Sequence, residues 1–320
     1  MLPENKGRLT TACSRPANRA SCCCQFSFLQ PFKPSLVTLR NPQAADERAV
    51  RLINRRLLVN DFGIFPFGEK VKPVEQVDRS PKKVFVLGVY ASAVHARWLG
   101  TDGKVCVSAL AVASEPEIFW RGDGAKSIVD GIPIPAPFGK LVPAAAQLNG
   151  PSGRSLDDEY LAPLGFDRSD VWLSDIYPYS RMNTGQRAAI EREYLPYLGE
   201  YDIPVPTLQP APTSGPGEER REEIWDEYVQ SQAEVLILLG DKPIEWFFSH
   251  LEPQYQKLSD FGKEAKTYGQ LHLFRIRGRQ IGVLPLVHPR QASRLGASSA
   301  EWAELHQTWK TDVAARVIKK

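Results

Sequence analysis

The sequence predicts an α/β protein: a three-layer α/β/α sandwich around a four-stranded, mainly parallel central sheet. Four short apolar runs have the composition of strands that are buried on both faces of a sheet. Segments with the apolar spacing of helices separate these runs, and this alternation is typical of parallel sheets. The four runs are residues 84–87, 170–176, 234–240 and 281–286.

Length and composition narrow the class of protein. With 320 residues, of which 42% are hydrophobic, the chain can bury a full core. No stretch approaches the ~18 consecutive apolar residues of a membrane span, and the first residues lack the order of a secretory signal. A formal charge of +3 gives no polyelectrolyte signal for the molecule as a whole. We therefore expect a cytoplasmic monomer with no membrane partner.

The cysteines give no sign of a metal centre or of a disulfide framework. Four of the five, Cys13, Cys22, Cys23 and Cys24, lie in the first 24 residues. No two of them have the C-x-x-C spacing of a zinc site. We therefore expect a reduced protein that holds no metal.

The N-terminal region differs in character from the rest of the chain. Residues 1–45 show no sustained hydrophobic period, so we predict a disordered extension followed by a folded domain over 46–320. A helix is expected at 45–60, where Val50, Ile53 and Leu57 have helical spacing. Basic residues exceed acidic ones over 1–83, and such an arm either steers toward phosphates or is a solvated tail.

The first core strand is followed by a glycine turn and a helix signal. Gly88 interrupts the apolar run, and Ser92 has the position of an N-cap, which predicts a helix through Trp98. A strand, a tight turn and a helix N-terminus would place backbone N–H groups at the carboxyl edge of the sheet. Open α/β sheets bind ligands at this edge.

The remaining chain supplies the other elements. Residues 105–113 form a further apolar run, whereas 131–165, rich in Pro, Gly and Ala, is expected to be a functional loop or an insertion. Two strands, 271–276 and 281–286, are expected to pair around a turn at Arg277-Gly278-Arg279. A Pro-rich spacer is expected at 202–217. Helices are predicted at 184–196 after Asn183, at 218–232, and from Ser298 onward with Trp302, Leu305 and Trp309 facing inward.

Polar or unusual residues stand at the end of every core strand: Gly88, Asp175, Lys242 and His288. The carboxyl ends of parallel strands share one edge, so these residues can line a single crevice although they are far apart in sequence. A lone histidine or aspartate is often structural. Their occurrence at all four strand ends favours a site.

Three motifs resemble those of the uracil-DNA glycosylase superfamily, and the resemblance covers roughly residues 80–310. GVYAS (88–92) resembles the water-activating motif, WLSD (172–175) the strand that ends in the base-reading asparagine, and HPRQAS (288–293) the intercalation motif. The resemblance implies a four-stranded α/β/α domain over 46–320 that binds single- or double-stranded DNA. It also implies base flipping into a pocket and hydrolysis of the N-glycosidic bond without a cofactor.

The resemblance assigns candidate roles. His288 would donate a hydrogen bond to the departing base, Tyr90 stands where the family has a water-positioning Asp or Asn, and Asp175 would read the base. Further base contacts would come from Gly88, Val89, Ser92, Phe119 and Trp120, with Tyr177 and Tyr179 as alternative stacking partners. DNA contacts would come from Arg290, Gln291, Arg294 and Lys242, with Arg97 and Arg121 as further phosphate partners.

Two departures from the family pattern shape the hypothesis. A tyrosine, with a pKa of about 10, is a poor base at neutral pH. Turnover would therefore need another group, with His95, Asp102, Asp175 and ionisation of the substrate all open. Ionised aspartate only accepts hydrogen bonds, so Asp175 favours an amino-bearing base such as cytosine or a modified cytosine, unless it caps the turn at Tyr177.

The sequence thus predicts a DNA glycosylase-like enzyme acting on a flipped base. The alternative is a catalytically weak or inactive module that binds DNA or a base on the same fold, and Tyr90 favours it. A third interpretation is a doubly wound enzyme acting on a free nucleotide or a small phosphate ester. The sequence contains neither a Walker A motif nor a G-x-G-x-x-G fingerprint in support of it.

Overall fold

The computed structural model describes residues 62–293 and 300–318. Four expectations lie outside these residues: the disordered extension at 1–45, the helix at 45–60, the DNA contact from Arg294 and the helix start at Ser298.

Two sheets are present in the described residues. The main sheet has five strands in the order β5-β1-β6-β8-β7, and a smaller sheet has three in the order β3-β2-β4. The pairs β5–β1, β1–β6 and β6–β8 are parallel, and β7 pairs antiparallel with β8. The strands are β1 (Val84–Tyr90), β2 (Ala93–Leu99), β3 (Val105–Ser114), β4 (Lys140–Pro143), β5 (Val171–Tyr177), β6 (Val235–Leu239), β7 (His272–Ile276) and β8 (Arg279–Leu286).

The α/β class and the four parallel strands agree with the prediction, but the main sheet has five strands rather than four. The additional strand is β7, which forms a hairpin with β8. Arg277 and Gly278 both have positive φ, at 48° and 80°, as a two-residue hairpin turn requires. The expected strand pair is therefore confirmed, and it widens the sheet by an antiparallel edge strand.

The prediction of a helix from Ser92 through Trp98 is wrong, because the segment after Ser92 forms the strand β2. The reason is that buried and less buried residues alternate along this segment. Val94, Ala96 and Trp98 are buried at every second position, while the residues between them are less buried. Strand β2 turns back after β1 and pairs antiparallel with β3 and β4, so its apolar face packs in a core of its own.

Helices and short turns connect the strands. The side chain of Asn183 accepts a hydrogen bond from the Gln186 N–H (2.9 Å), which confirms the predicted start of the helix that follows it. The α-helices are α1 (Ala125–Asp130), α2 (Pro151–Leu156), α3 (Ala162–Leu164), α4 (Thr184–Glu193), α5 (Glu218–Ser231), α6 (Asp241–Trp246), α7 (Pro289–Ala292), α8 (Ala300–Asp312) and α9 (Ala314–Val317). A π-helical turn at Asp157–Leu161 links α2 to α3, and 3₁₀ turns occupy Pro66–Gly68, Ala136–Phe138, Ala146–Leu148, Arg168–Asp170, Leu195–Tyr197, Phe248–His250 and Leu258–Phe261.

The region 131–165, expected to be a functional loop or an insertion, contains regular secondary structure. It contains strand β4 and the helical stretch from α2 to α3. Gly150 permits this compact path, because its φ of 68° lies in the left-handed region and its Cα faces the backbone of Arg121 and Gly122.

The main core lies on the parallel strands, whose residues are almost all buried, as expected for strands covered on both faces. Helix α5 packs its Tyr228 ring edge-on against Phe85 of β1, with ring centroids 5.6 Å apart. None of the helices in the described part of the chain is long and apolar enough to cross a membrane.

Candidate functional site

A pocket of about 50 Å³ lies at the carboxyl ends of the parallel strands. Tyr90 ends β1, Asp175 lies near the end of β5, and His288 follows β8 by two residues. These three residues line the same pocket although up to 198 positions separate them in the chain. The complete lining comprises Val89, Tyr90, Ser92, Glu115, Phe119, Trp120, Gly150, Pro151, Ser152, Gly153, Asp175 and His288.

Gly88 makes room for the acidic side of this pocket. It pairs directly with Asp175 in the β1–β5 register. A Cβ on Gly88 would overlap Oδ1 of Asp175 and would lie 2.7 Å from Cζ of Phe119. Gly88 is not itself among the lining residues. Its lack of a side chain leaves the space that the side chains of Asp175 and Phe119 occupy.

Asp175 presents a buried carboxyl group, with only 4% of the residue exposed. Burial raises its pKa to about 7, against the opposing positive charge of Arg220. Arg220 donates hydrogen bonds to the main-chain oxygens of Asp175 (2.8 Å) and Ile176 (3.1 Å). Within the described residues no hydrogen bond reaches the Asp175 carboxyl, so the turn-capping contact considered above is not formed there and the carboxyl faces the pocket unpaired.

His288 is held in one orientation by the first turn of α7. Its Nδ1 accepts a hydrogen bond from the Arg290 N–H (3.2 Å), and its own N–H donates to Oε1 of Gln291 (3.3 Å). Burial, together with the charge of Arg290, lowers the pKa of His288 to about 4. The imidazole is thus neutral at pH 7 and carries its proton on Nε2, which makes it a hydrogen-bond donor.

The peptide before His288 is fixed by two buried tyrosines. The hydroxyl of Tyr160 donates to the carbonyl oxygen of Val287 (2.8 Å), and the Val287 N–H donates to the hydroxyl of Tyr268 (3.2 Å). Tyr268 in turn bonds Nδ1 of His306 (2.7 Å), whose Nε2 donates to the Glu159 carbonyl (3.0 Å). We call Tyr160, Tyr268 and His306 the Val287 clamp, because they hold the strand end that positions His288.

Glu115 also lines the pocket, and sequence reasoning missed it. It follows β3 directly, and its Oε1 accepts a hydrogen bond from the Ser92 N–H (3.0 Å). Burial, and then the charge of Asp175, raises the pKa of Glu115 to about 8. A signal was present: like Asp175, Glu115 is a carboxylate at the end of an apolar stretch, with a single serine (Ser174 or Ser114) before it.

Phe119 and Trp120, two of the proposed base contacts, form the aromatic wall of the pocket. Phe119 has a φ of 50°, a conformation that non-glycine residues seldom adopt. The Arg168 guanidinium donates to its carbonyl oxygen (2.7 Å), and Gly153 packs so closely that a Cβ there would overlap the same oxygen. Gly150–Gly153, the second group that sequence reasoning missed, therefore supports this wall backbone against backbone.

Several candidate residues lie away from the pocket lining. Lys242, near the start of α6, forms an ion pair with Glu245 (2.9 Å) and lies over the Trp246 ring. Asp102 is exposed in the β2–β3 turn beside Lys104. His95 lies in β2, where its backbone bonds the Asn149 amide. Tyr177 and Tyr179 both stack on the Arg181 guanidinium.

The other predicted phosphate partners have different placements. The exposed Arg290 and its neighbour Gln291 lie in α7 beside the pocket. Arg121 pairs with Asp123 (3.4 Å) and Asp157 (3.8 Å).

Comparisons with models of protein families and with curated proteins found no match for the chain. Over residues 62–293 and 300–318, no group of three or more His, Cys, Asp and Glu side chains is arranged to hold a metal ion. The groups that the pocket offers for chemistry are a neutral histidine donor, two buried carboxyls and an aromatic wall.

Proposed function

We propose that the protein is a divergent member of the uracil-DNA glycosylase superfamily that hydrolyses the N-glycosidic bond of a base flipped out of DNA. The observation that carries this proposal is the convergence of Tyr90, Asp175 and His288 on one pocket. Each comes from a different strand, and each corresponds to one of the three motifs on which the resemblance depends.

The sheet topology supports the same proposal. The parallel strands β5-β1-β6-β8 follow the chain order second, first, third, fourth. The order reverses beside β1, and ligands of open α/β sheets bind at such a reversal. We infer that helices cover both faces of these strands in a three-layer α/β/α sandwich, with β7 as an addition to a four-stranded parallel core.

His288 supplies the group that the leaving base needs. As the glycosidic bond breaks, negative charge grows on the departing base, and a fixed donor stabilises it. A neutral imidazole with its proton on Nε2 is such a donor, and the Arg290 N–H at Nδ1 fixes that tautomer. Loss of one preorganised donor of this kind costs about 2.7–4 kcal/mol of transition-state stabilisation.

Asp175 determines which base the pocket prefers. Its unpaired carboxyl accepts hydrogen bonds when ionised, and an exocyclic amine such as cytosine N4 donates them. We therefore propose a cytosine-type or modified cytosine base as the substrate. Phe119 and Trp120 provide the surface on which the base stacks, and Arg290, Gln291, Arg294 and Lys242 remain the proposed contacts to the DNA backbone.

The pocket must open to admit a base. Its volume of about 50 Å³ is well below the roughly 300–1,000 Å³ of typical ligand pockets. Tyr90 is 37% exposed and lines the mouth, so its side chain is the group that can swing outward. Tyr90, which is a poor base at neutral pH, favours the second candidate, a module that binds DNA or a base without turnover.

Excision assays distinguish the two candidates. Oligonucleotides carrying uracil, cytosine or 5-substituted cytosines, single- and double-stranded, are incubated with the protein and treated with alkali. A glycosylase leaves alkali-labile abasic sites, whereas a binding module only retards the oligonucleotide in a gel. We expect excision of an amino-bearing base, loss of about 100-fold or more in His288→Ala, and a shift toward uracil in Asp175→Asn.

Matched controls are His250→Ala and Asp102→Asn, which change the same residue types at exposed positions. A clean preference of the wild-type protein for uracil would contradict the assignment of Asp175. If the protein neither excised a base from any oligonucleotide nor retarded one in a gel, both candidates would be contradicted.

A further inference from the structure

The pocket contains an acidic residue, Glu115, although the motif at the end of β1 has none. In GVYAS the water-activating position holds Tyr90, which is a poor base at neutral pH. Glu115 comes from the other sheet, at the end of β3, and lines the same pocket. Its Oε1 accepts the Ser92 N–H, so the carboxyl is attached to the very segment, Tyr90–Ser92, that carries the motif.

The segment to which Glu115 is bonded indicates what its carboxyl group faces. Tyr90 and Ser92 are both exposed, so the segment that binds Glu115 forms the mouth of the pocket. Asp175 lies against Gly88 and Phe119. A flipped nucleotide leaves its sugar nearer the entrance than its base. Glu115 and Asp175 are buried alike, at 5% and 4% exposed, and it is the hydrogen bond from the exposed Ser92 that relates Glu115 to the sugar end of the nucleotide.

We propose that Glu115 is the general base that activates the hydrolytic water in place of the acid missing at Tyr90. This inference rests on the proposed function. The water oxygen forms a bond to C1′ of the sugar while its proton passes to the Glu115 carboxylate. The C1′–N bond breaks, its electron pair stays on the base, and the His288 Nε2–H stabilises the resulting anion. The base then takes up the proton, so that one water is consumed for each base released.

The protonation of Glu115 fits a pH-dependent role. The groups around it are the Asp175 carboxyl across the pocket, Glu117 on its own segment, the lining residues Tyr90 and His288, and the N–H groups of Ser92 and Trp120. Burial and the two carboxylates disfavour its ionised form, so the pKa of Glu115 lies near 8. A base must be ionised to accept a proton, and the single-turnover rate should therefore rise with pH until about pH 8.

The test compares single-turnover excision by the wild-type protein, Glu115→Gln and Glu117→Gln, using the oligonucleotide that the base panel identifies. Glu117→Gln is the matched control, because Glu117 is exposed two residues away and the substitution is the same. We expect Glu115→Gln to lower the rate at saturating protein by about 100-fold or more, to leave oligonucleotide affinity unchanged, and to lose the rise of rate with pH. Glu117→Gln should reach the wild-type saturating rate at high pH, with the rise of rate moved to a lower pH, because one of the carboxylates that raise the Glu115 pKa is gone. Urea unfolding of each variant verifies that it is folded.

The outcomes separate the two proposals. Wild-type excision together with an unchanged rate and pH profile in Glu115→Gln would overturn the role of Glu115 alone. A loss of affinity without loss of the saturating rate would likewise overturn it, because Glu115 would then contact the base and not the water. Absence of excision by the wild-type protein would overturn the proposed function, and the role of Glu115 with it.

Discussion

Gly88 of β1 and Asp175 of β5 are direct partners in the parallel register, and the missing side chain of one is what admits the carboxyl of the other. A glycine inside a strand weakens it, because glycine has no side chain to pack and loses more entropy on folding. Its presence in an otherwise large and apolar strand is explained by the space that Asp175 and Phe119 occupy. The position is therefore tied to the pocket rather than to the stability of the sheet.

Replacing Gly88 with alanine should move side chains that line the pocket and should lower the stability of the fold only moderately. The added Cβ would overlap Oδ1 of Asp175 and crowd the Phe119 ring, and both side chains would have to move. Overpacking of this kind costs about 1–3 kcal/mol. We expect urea unfolding to show a loss in that range and base excision to fall about tenfold or more.

Gly199→Ala is the matched control, because nothing lies within 4 Å of a Cβ built there and its φ is not in the left-handed range. Excision by Gly88→Ala at the wild-type rate would show that the close approach of Asp175 is not needed.

The contribution of Glu115 to stability should be lost as the pH rises from about 5 to above 8, and Glu115→Gln should remove that part of the pH dependence. Burial raises the pKa of Glu115 to about 8 and that of Asp175 to about 7. A carboxyl whose pKa is higher in the folded state stabilises the fold below its unfolded pKa, and this contribution is lost as the pH rises through the folded pKa. Each pKa unit corresponds to about 1.4 kcal/mol.

Urea unfolding of the wild-type protein and Glu115→Gln at pH 5.5, 7 and 8.5 tests this expectation. The variant should gain stability relative to the wild type with each step, because its amide carries no charge to bury. Comparing the two proteins at the same pH cancels the contributions of His288 and His306. A difference that stays constant with pH would mean that Glu115 titrates normally.

Tyr268→Phe should loosen the Val287 clamp and, through it, His288. The substitution removes the oxygen that accepts the Val287 N–H and that bonds His306. Leaving a buried N–H without a partner costs about 1–3 kcal/mol. We expect a loss of that size in urea unfolding, and a lower saturating excision rate with little change in oligonucleotide affinity.

Tyr197→Phe, at a tyrosine that is 40% exposed, serves as the control for the clamp. A stability loss in Tyr268→Phe with no effect on the excision rate would limit the clamp to a structural role.

The sequence was sufficient for the parallel strands and for much of the pocket. Strands buried on both faces produce apolar runs that are visible without any knowledge of their partners. Because parallel strands end at one edge, the convergence of Asp175 and His288 follows from topology alone. The prediction of the strands depends on the local apolar pattern, and the prediction of the pocket depends on the rule that parallel strands end at one edge.

Other features depend on long-range pairing, which the local sequence does not reveal. Ser92 has the residue type of an N-cap, yet its N–H bonds Glu115 and the chain continues as β2. Glu115 reaches the pocket because β3 pairs antiparallel with β2, so that Ser114 lies opposite Ala93. An element whose placement is decided by a partner strand is predicted only when the pairing is known.

Arg168 is expected to control the aromatic wall of the pocket. Its guanidinium donates to the carbonyl oxygens of Phe119 (2.7 Å) and Gly153 (3.2 Å) and pairs with Asp157 (2.7 Å). Lysine keeps the charge but has no planar fork with which to bond several acceptors at once. Arg168→Lys should therefore release the strained Phe119 backbone, whose φ is 50°.

We expect Arg168→Lys to lower stability by about 1–3 kcal/mol and to weaken oligonucleotide binding, since the stacking surface is no longer fixed. Arg187→Lys on α4, an exposed position, is the matched control. Fluorescence anisotropy with a labelled oligonucleotide measures the affinity of both variants, and urea unfolding measures their stability. If Arg168→Lys lost stability but bound with wild-type affinity, Phe119 and Trp120 would pack within the fold without stacking on the base.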